Sequence, residues 1–299
     1  MILSAPLTGG LQSSGDSIVV DGNFFTGNKE IAVKVKLERD KKNLAKEYEK
    51  AEELFGDFPS LFIRPFALLD GSVGEISSSS GDDCSQFCGL VMERGVGDLA
   101  DYLRKKKKDG GMSLTAKLTI IETLVDIVSA AHSSDIVLMD FKLANVVRVL
   151  VGEEFKLKAI DFGSSRRKDE QITSDVSCTP KYVAPEVART MLAKLKKNVQ
   201  VGDTFASSRI DIFALGLMVY ELASESMATL WESLGVRSSD EKGMLERAAS
   251  LTDEEVERVV ESNFGGEMFR DLRSFLLDAL KVNPADRWDA SQVCSFNLS

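Results

Sequence analysis

The eleven residues VLMDFKLANVV, Val137 to Val147, decide how the rest of the 299-residue chain is read. They hold an aspartate, a lysine two positions on and an asparagine three further. Two readings fit. These are three ordinary polar residues of a strand–turn–strand, or they form a loop that assembles a carboxylate, an ammonium and an amide for chemistry. The surrounding sequence has to choose between them.

Hydrophobic residues make up 43% of the chain and charged residues 28%, a globular composition long enough for one large domain or two lobes. The formal net charge is −10, from 47 acidic and 37 basic residues. Such a surface repels nucleic-acid phosphate and anionic membranes and favours basic partners. No apolar run is long enough to span a bilayer. The opening MILSAPLTGG lacks the basic and apolar regions of a signal peptide. Cys84 and Cys88 form a single C-x3-C, without a second pair and with one histidine in the chain. A zinc site is therefore not expected. An intracellular setting, cytoplasmic or nuclear, is the simplest reading, and a monomer is expected.

Outward from the central stretch, the elements separate by kind. KEIAVKVKL (29–37) alternates and is β-branched, which predicts a strand. The next stretch is rich in helix formers, and Leu44, Tyr48, Ala51 and Phe55 step along one helical face. Gly56 is the expected stop, with Pro59 after it. LFIRPFALL (61–69) and QFCGLVME (86–93) read as further strands, separated by a polar Gly/Ser-rich loop over 70–85. From Gly97 the chain turns mainly helical. LADYLRKKKK (99–108) ends in four lysines, a solvated helix end favoured by the dipole. Ser113 is placed to cap a helix with apolar positions 114, 118, 121, 125 and 128. FKLKAIDFG (155–163) reads as a strand and turn. IDIFALGLMVYEL (210–222) is apolar almost all round, as for a helix through a core, and two more helices are expected over 252–264 and 269–282. The expected architecture is α+β: a small β-rich lobe with one helix (1–94) and a larger, mainly helical lobe (95–299), with room for a cleft between them.

The order of motifs resembles the eukaryotic protein kinase family, and the resemblance covers nearly the whole chain. IAVK (31–34) matches the family's strand lysine, VLMDFKLANVV its catalytic loop and IDFGSS (160–165) its metal-binding segment. CTPKYVAPEV (178–187) matches the end of its activation segment, RIDIFALGLMVYEL (209–222) its central helix and NPADRWDA (283–290) its closing arginine segment. Each is weak alone. Six in order on elements of the right kind are specific.

The resemblance implies a bilobal protein-kinase-like fold over 1–299, and phosphoryl transfer from ATP, with Mg²⁺, to Ser/Thr hydroxyls of a protein substrate. Positioned cations then do most of the work. Lys34 would reach the α/β-phosphates with a carboxylate partner. Glu47 is the candidate, 13 residues on and beside the helix's apolar face, with Glu49 and Glu53 as rivals. Lys36 shares a strand face with Lys34, so parity cannot separate the two. By resemblance Ala32, Met92, Glu93, Gly95 and Val147 also line the nucleotide site. Asp140 would accept or orient the substrate hydroxyl's proton, and Lys142 would neutralise the γ-phosphate. Asn145 and Asp161 would hold Mg²⁺, an oxygen-seeking ion. Phe162, Gly163, Asp211 and a buried Glu186–Arg287 ion pair would be structural. Lys142 and the Thr-Pro of 179–180 resemble the Ser/Thr branch.

Four features depart from the family. LTGGLQSSGDSIVVDG (7–22) cannot place three glycines in the phosphate-flap pattern. Gly15 is kept in one register, and Ser13, Ser14 and Ser17 could donate hydroxyl bonds instead. Leu138 and Met139 stand where the family has His-Arg. The Arg pairs with an activation-loop phosphate, and Met cannot, so no switch through this pocket is expected, whatever modifies Thr173, Ser174 or Ser177. Cys178 replaces a glycine, as a small filler or as a redox-sensitive thiol. From Glu186 to Asp211 the spacing is roughly a dozen residues longer than the family's short form. The extra LAKLKKNVQVGDTFASS (192–208) is either a partner-choosing element or an inert loop. A pseudokinase, acting as a nucleotide-binding or scaffold module, is the rival reading.

Overall fold

The structure, a computed structural model, describes residues 12–14, 17–23, 30–37, 40–71, 87–172, 178–195, 204–224, 227–237 and 239–295. The chain divides into two compact units. The smaller comprises residues 1–98 with 147–163, the larger residues 99–146 with 164–299. The smaller is β-rich with one helix, and the larger is mainly helical, the α+β division expected from the sequence.

In the smaller unit, β1 (Gln12–Ser14), β2 (Ser17–Asn23), β3 (Glu30–Leu37), β5 (Phe87–Glu93) and β4 (Pro65–Gly71) form one antiparallel sheet in that spatial order. Lys34 faces Val19 on one side and Leu90 on the other, and Ala32 faces Met92. Ile31, Val33 and Val91 form a buried cluster under Val35, Phe66, Ala67 and Leu69.

Helix α1 (Lys41–Asp57) buries Leu44, Glu47, Ala51 and Leu54. Its inward stripe is therefore rotated from the expected one. Tyr48 and Phe55 are only half-buried, and a carboxylate takes an inward place. Gly56 is not the stop, because the helix runs to Asp57. Pro59 ends it by excluding the α conformation at the preceding residue, and Phe58 sits at φ −134°, ψ 64°.

β6 (Gly97–Asp98), β8 (Val146–Val151) and β9 (Glu154–Ala159) make a three-stranded sheet. Two bonds tie β9 to the chain before β4: Ala159 N–H donates to Leu61 O (2.8 Å) and Ile63 N–H to Ala159 O (3.0 Å). Lys158, 6% exposed, adds an ion pair to Glu93 (2.9 Å). These contacts explain why residues 147–163 cluster with the smaller unit.

In the larger unit, α2 (Leu99–Lys108) carries its four lysines in the last turn. Ser113 caps α3 (Leu114–Ser133), accepting from Ala116 N–H at 3.2 Å. The buried face of α3 is Ile120, Ile121, Leu124, Ile127, Val128, Ala130 and Ala131. Ile121 and Val128 of the expected stripe are buried, whereas Leu114, the first residue of the helix, is exposed. Helix α4 (Pro185–Leu195) follows the 178–187 stretch, and α5 (Ser208–Ala223) passes through the core, buried on every face. Asp211 is the one charge among its buried residues. Around it lie α6 (Leu230–Ser233), α7 (Glu241–Ala249), α8 (Asp253–Phe264), α9 (Arg270–Ala279) and α10 (Ala290–Ser295). Thr229 and Thr252 start α6 and α8 with capping boxes. Among the described residues no helix is long and apolar enough to cross a membrane.

Candidate active site

In the smaller unit, the strand and helix just described bring Lys34 and Glu47 together. Lys34 is 5% exposed and Glu47 2%. The ammonium donates to Glu47 Oε1 at 2.7 Å and to Asp161 Oδ1 at 2.8 Å. Glu49 is exposed and Lys36 half-buried, so the geometry chooses between the rivals where strand parity could not. Burial by itself would lower the Lys34 pKa. The charges of Glu47 and Asp161 outweigh it and hold the ammonium above the ordinary lysine range. Burial pushes the Glu47 carboxyl up more than Lys34 pulls it down, and the Asp161 charge adds to the rise.

Asp161 adopts a left-handed backbone conformation, φ 65°, which turns its carboxylate back onto Lys34. Phe162 is buried, edge-on to Phe62 at 5.9 Å between centroids. A methyl group at Gly163 would lie 3.2 Å from Glu47 Oε2, so a side chain there would press on that carboxylate. Gly95 is needed more strictly, since a Cβ there would sit 2.7 Å from the Cβ of Val147. Ala32, Met92 and Val147 are buried apolar residues of the same unit. The carboxylate of Glu93 is engaged by Lys158 and, at 3.3 Å, by the Arg64 N–H.

In the larger unit, the loop after β7 (Ile136–Val137) turns through Met139 at φ 66°. Asp211 fixes that turn. Its Oδ2 accepts from Leu138 N–H at 2.7 Å and its Oδ1 from Met139 N–H at 2.9 Å. His132 Nε2 lies 2.8 Å from Oδ2. A carboxylate can only accept, so Nε2 carries the proton. His132 Nδ1 is buried without a partner among the described residues, as suits a bare lone pair. Asp140 then presents its side chain to two neighbours. Thr179 donates both its N–H (2.9 Å) and its hydroxyl (2.8 Å) to Asp140 Oδ1. Lys142 donates to Asp140 Oδ2 at 2.5 Å and to Thr179 Oγ1 at 2.8 Å. The Asn145 amide nitrogen donates to the Asp140 carbonyl at 3.0 Å, which aims the amide oxygen away as the group able to meet a cation.

By sequence Thr179 is only a marker of the Ser/Thr branch. Its contact with Asp140 spans 39 residues, and no local pattern announces it. Beyond it, Glu221 accepts from Lys181 at 2.7 Å and from the Tyr182 hydroxyl at 3.1 Å. Cys178 is half-buried here. Burial, with the nearby Asp140 charge, pushes its thiol up to about 12, far from a reactive thiolate. Glu186 and Arg287 form the bidentate pair, at 2.8 and 3.1 Å, with Arg287 1% exposed. Thr173, Ser174, Ser177 and Gly15 lie outside the described residues, as do Cys84 and residues 196–203 of the long insert.

Among the described residues no three His, Cys, Asp or Glu side chains cluster as a metal cage. The Asp161 carboxylate in the smaller unit and the Asn145 amide oxygen in the larger are each a hard oxygen donor of the type Mg²⁺ takes.

The sequence profile of the family described as protein kinase domain matches residues 76–298. Calcium-dependent protein kinase 25 of Arabidopsis thaliana is 30% identical over 228 residues, which is 75% of this chain and 38% of that one. Calcium-dependent protein kinase 5 of Solanum tuberosum is 38% identical over 121 residues, 40% of this chain and 22% of its own length. Serine/threonine-protein kinase PkaA of Streptomyces coelicolor is 29% identical over 143 residues, 46% and 23% respectively. The matched stretch thus spans less than two fifths of each of these relatives.

Proposed function

Since the chain belongs to the protein kinase domain family, we propose that it is an ATP- and Mg²⁺-dependent kinase of protein Ser/Thr hydroxyls. The observation that carries this reading is the network on Asp140. Two donors from Thr179 hold one carboxylate oxygen, and the Lys142 ammonium sits on the other. A carboxylate so oriented can receive or direct a substrate hydroxyl's proton, a role worth about 10²–10⁴-fold in rate. Lys142 places positive charge beside the same atoms, where phosphoryl transfer develops negative charge. In the smaller unit, Lys34 is preset by two carboxylates to meet phosphate, Asp161 offers Mg²⁺ a carboxylate, and Ala32, Met92, Gly95 and Val147 offer the base an apolar surface. In the larger unit, Asn145 offers Mg²⁺ an amide oxygen. ATP supplies the transferable phosphoryl group, and Mg²⁺ neutralises part of its charge.

The buried, uncharged Met139 cannot bind a phosphate, so activity is independent of an Arg-based activation-loop switch. A second reading, a nucleotide-binding or scaffold pseudokinase, is favoured by one feature. Ser14 pairs with Ser17 across β1 and β2, where the family's phosphate flap carries glycines.

The deciding experiment is labelled-ATP transfer to a basic Ser/Thr substrate with Mg²⁺, beside Asp140→Asn, with thermal shift by Mg-ATP in parallel. Transfer that collapses at least a hundredfold in Asp140→Asn supports the kinase. A thermal shift without transfer supports the pseudokinase, and neither one supports a scaffold.

A further inference from the structure

The long insert ends in a stretch that is anything but loose. In the larger unit, Thr204–Ala206 runs antiparallel to Asp169–Ile172. Ile172 N–H donates to Thr204 O (2.7 Å), Ala206 N–H to Glu170 O (2.8 Å) and Asp169 N–H to Ala206 O (2.8 Å). Gln171 and Phe205 form the bridge between them. The chain just before this ladder is stitched on its other side. β10 (Arg166–Arg167) pairs with β7, Lys168 N–H donates to Asp135 O (2.9 Å), and Arg167 Nη1 donates to Ser134 O (3.0 Å). Residues 166–172 are therefore held first by the strand leading into the Asp140 loop, then by residues 204–206.

Residues 204–206 are themselves anchored. The Thr190 hydroxyl gives its single proton to Glu186 O at 3.0 Å. In the 2.6 Å contact between Thr190 Oγ1 and Thr204 Oγ1, Thr204 must therefore be the donor. Thr190 is 4% exposed, and Glu186 is locked by the buried Arg287. The ladder is thus tied, through two hydroxyls, to the backbone of the residue whose side chain Arg287 holds.

We propose that Thr204–Ala206 is a positioning strap for the segment that carries Thr179 to Asp140, and that it does its holding without any phosphate. The strap fixes Ile172, seven residues before Thr179, and so limits how far that threonine can leave Asp140. Backbone hydrogen bonds need no charged anchor, which supplies the order that Met139 cannot take from a phosphate. Its effect on transfer rests on the kinase reading; its effect on local opening does not.

The test is hydrogen exchange of peptides covering 169–172 in the phosphatase-treated full chain, with transfer kinetics in parallel. Ala206→Pro deletes one ladder donor, and Ala206→Gly keeps it. Thr204→Val replaces the hydroxyl with a methyl group, which deletes the bond to Thr190 and leaves the backbone ladder its donors, and it carries the test if Ala206→Pro does not fold. The 169–172 amides are expected to be protected in the phosphate-free wild type. Exchange should quicken at least tenfold in Ala206→Pro, severalfold in Thr204→Val and not at all in Ala206→Gly, with α5 unchanged in all three. In transfer, Ala206→Pro should lower kcat at least tenfold and leave the KM for ATP within twofold. Exposure of 169–172 by phosphatase alone, or continued protection in both Ala206→Pro and Thr204→Val, would overturn the proposal. Quickened exchange in a protein whose wild type transfers nothing would uphold the strap while sinking the kinase reading.

Discussion

Removing Lys34 should cost more than removing its partner, and the cost should depend on pH. In Lys34→Met the Glu47 carboxylate, 2% exposed, loses the cation that compensates its burial. A stranded buried charge of this kind costs roughly 3–5 kcal/mol. Glu47 has an escape, which is to bind a proton. At pH 7 that escape spans two and a half units from the ordinary carboxylate value of 4.5, or about 3 kcal/mol, and caps the loss. At pH 5.5 the same cap is about 1.4 kcal/mol. The sign follows from burial, which raises the folded-state pKa of Glu47. The folded variant takes up a proton that the unfolded chain releases, so acidification narrows its deficit. Glu47→Gln differs, because Lys34 keeps Asp161 at 2.8 Å. Its cost should be about 1–2 kcal/mol, one charged hydrogen bond, and should not shrink on acidification, because glutamine takes up no proton. Urea unfolding of the two variants and the wild type at pH 7 and 5.5 measures all of this. A Lys34→Met deficit that does not shrink with acidification, or that stays below the Glu47→Gln deficit at pH 7, would refute the reasoning.

Arg287→Met should lower the unfolding free energy by about 3 kcal/mol. It strands Glu186 and leaves the carbonyls of Lys281, Arg209 and Val282 without their shared donor. A loss under 1 kcal/mol in denaturant titration would show the pair to be ornamental. Cys178 should resist iodoacetamide at pH 8 in the folded protein and react in urea, as read by mass spectrometry, because burial holds its thiol protonated to about 12. Its raised folded value means that its contribution to stability is complete below pH 9 and is lost as pH climbs from there toward 12. Urea midpoints should fall over that interval, and less so in Cys178→Ala.

The elements themselves were legible because their signals are local. β3 alternates, α5 is apolar on all sides, and Ser113 caps where a serine before a helical pattern should. Local signals also set the limits of that reading. α1 has apolar residues on two adjoining faces, and what turned it was Glu47 reaching a lysine 13 residues back, a contact no helical period encodes. Gly56 does not end the helix, because a glycine is only permissive, whereas Pro59 constrains the residue before it. Strand parity does not separate Lys34 from Lys36; the IAVK register favours Lys34, and the contacts with Glu47 and Asp161 agree with it. Thr179 was invisible as a working residue for the same reason. Its meaning lies in a carboxylate 39 residues away, across a stretch whose pattern is turns and short strands.

The loop VLMDFKLANVV keeps its shape because its anchor does not read side chains. Asp211 grips residues 138 and 139 through their backbone N–H groups, and the left-handed turn at 139 is held from there. Any pair of residues with free N–H groups satisfies that grip, so leucine and methionine fill the two positions without displacing Asp140. Both side chains are buried, 6% and 5% exposed, which makes them packing residues rather than polar outposts. What the substitution removes is a cation, and a cation matters only to an anion that docks there. On the kinase reading, the chemistry of the loop and its control by phosphate are thus separable. One rests on Asp211 and backbone, the other on a side chain this chain does not have. Leu138→His with Met139→Arg should therefore leave the Asp140 geometry intact, with Asp211 still accepting both N–H groups.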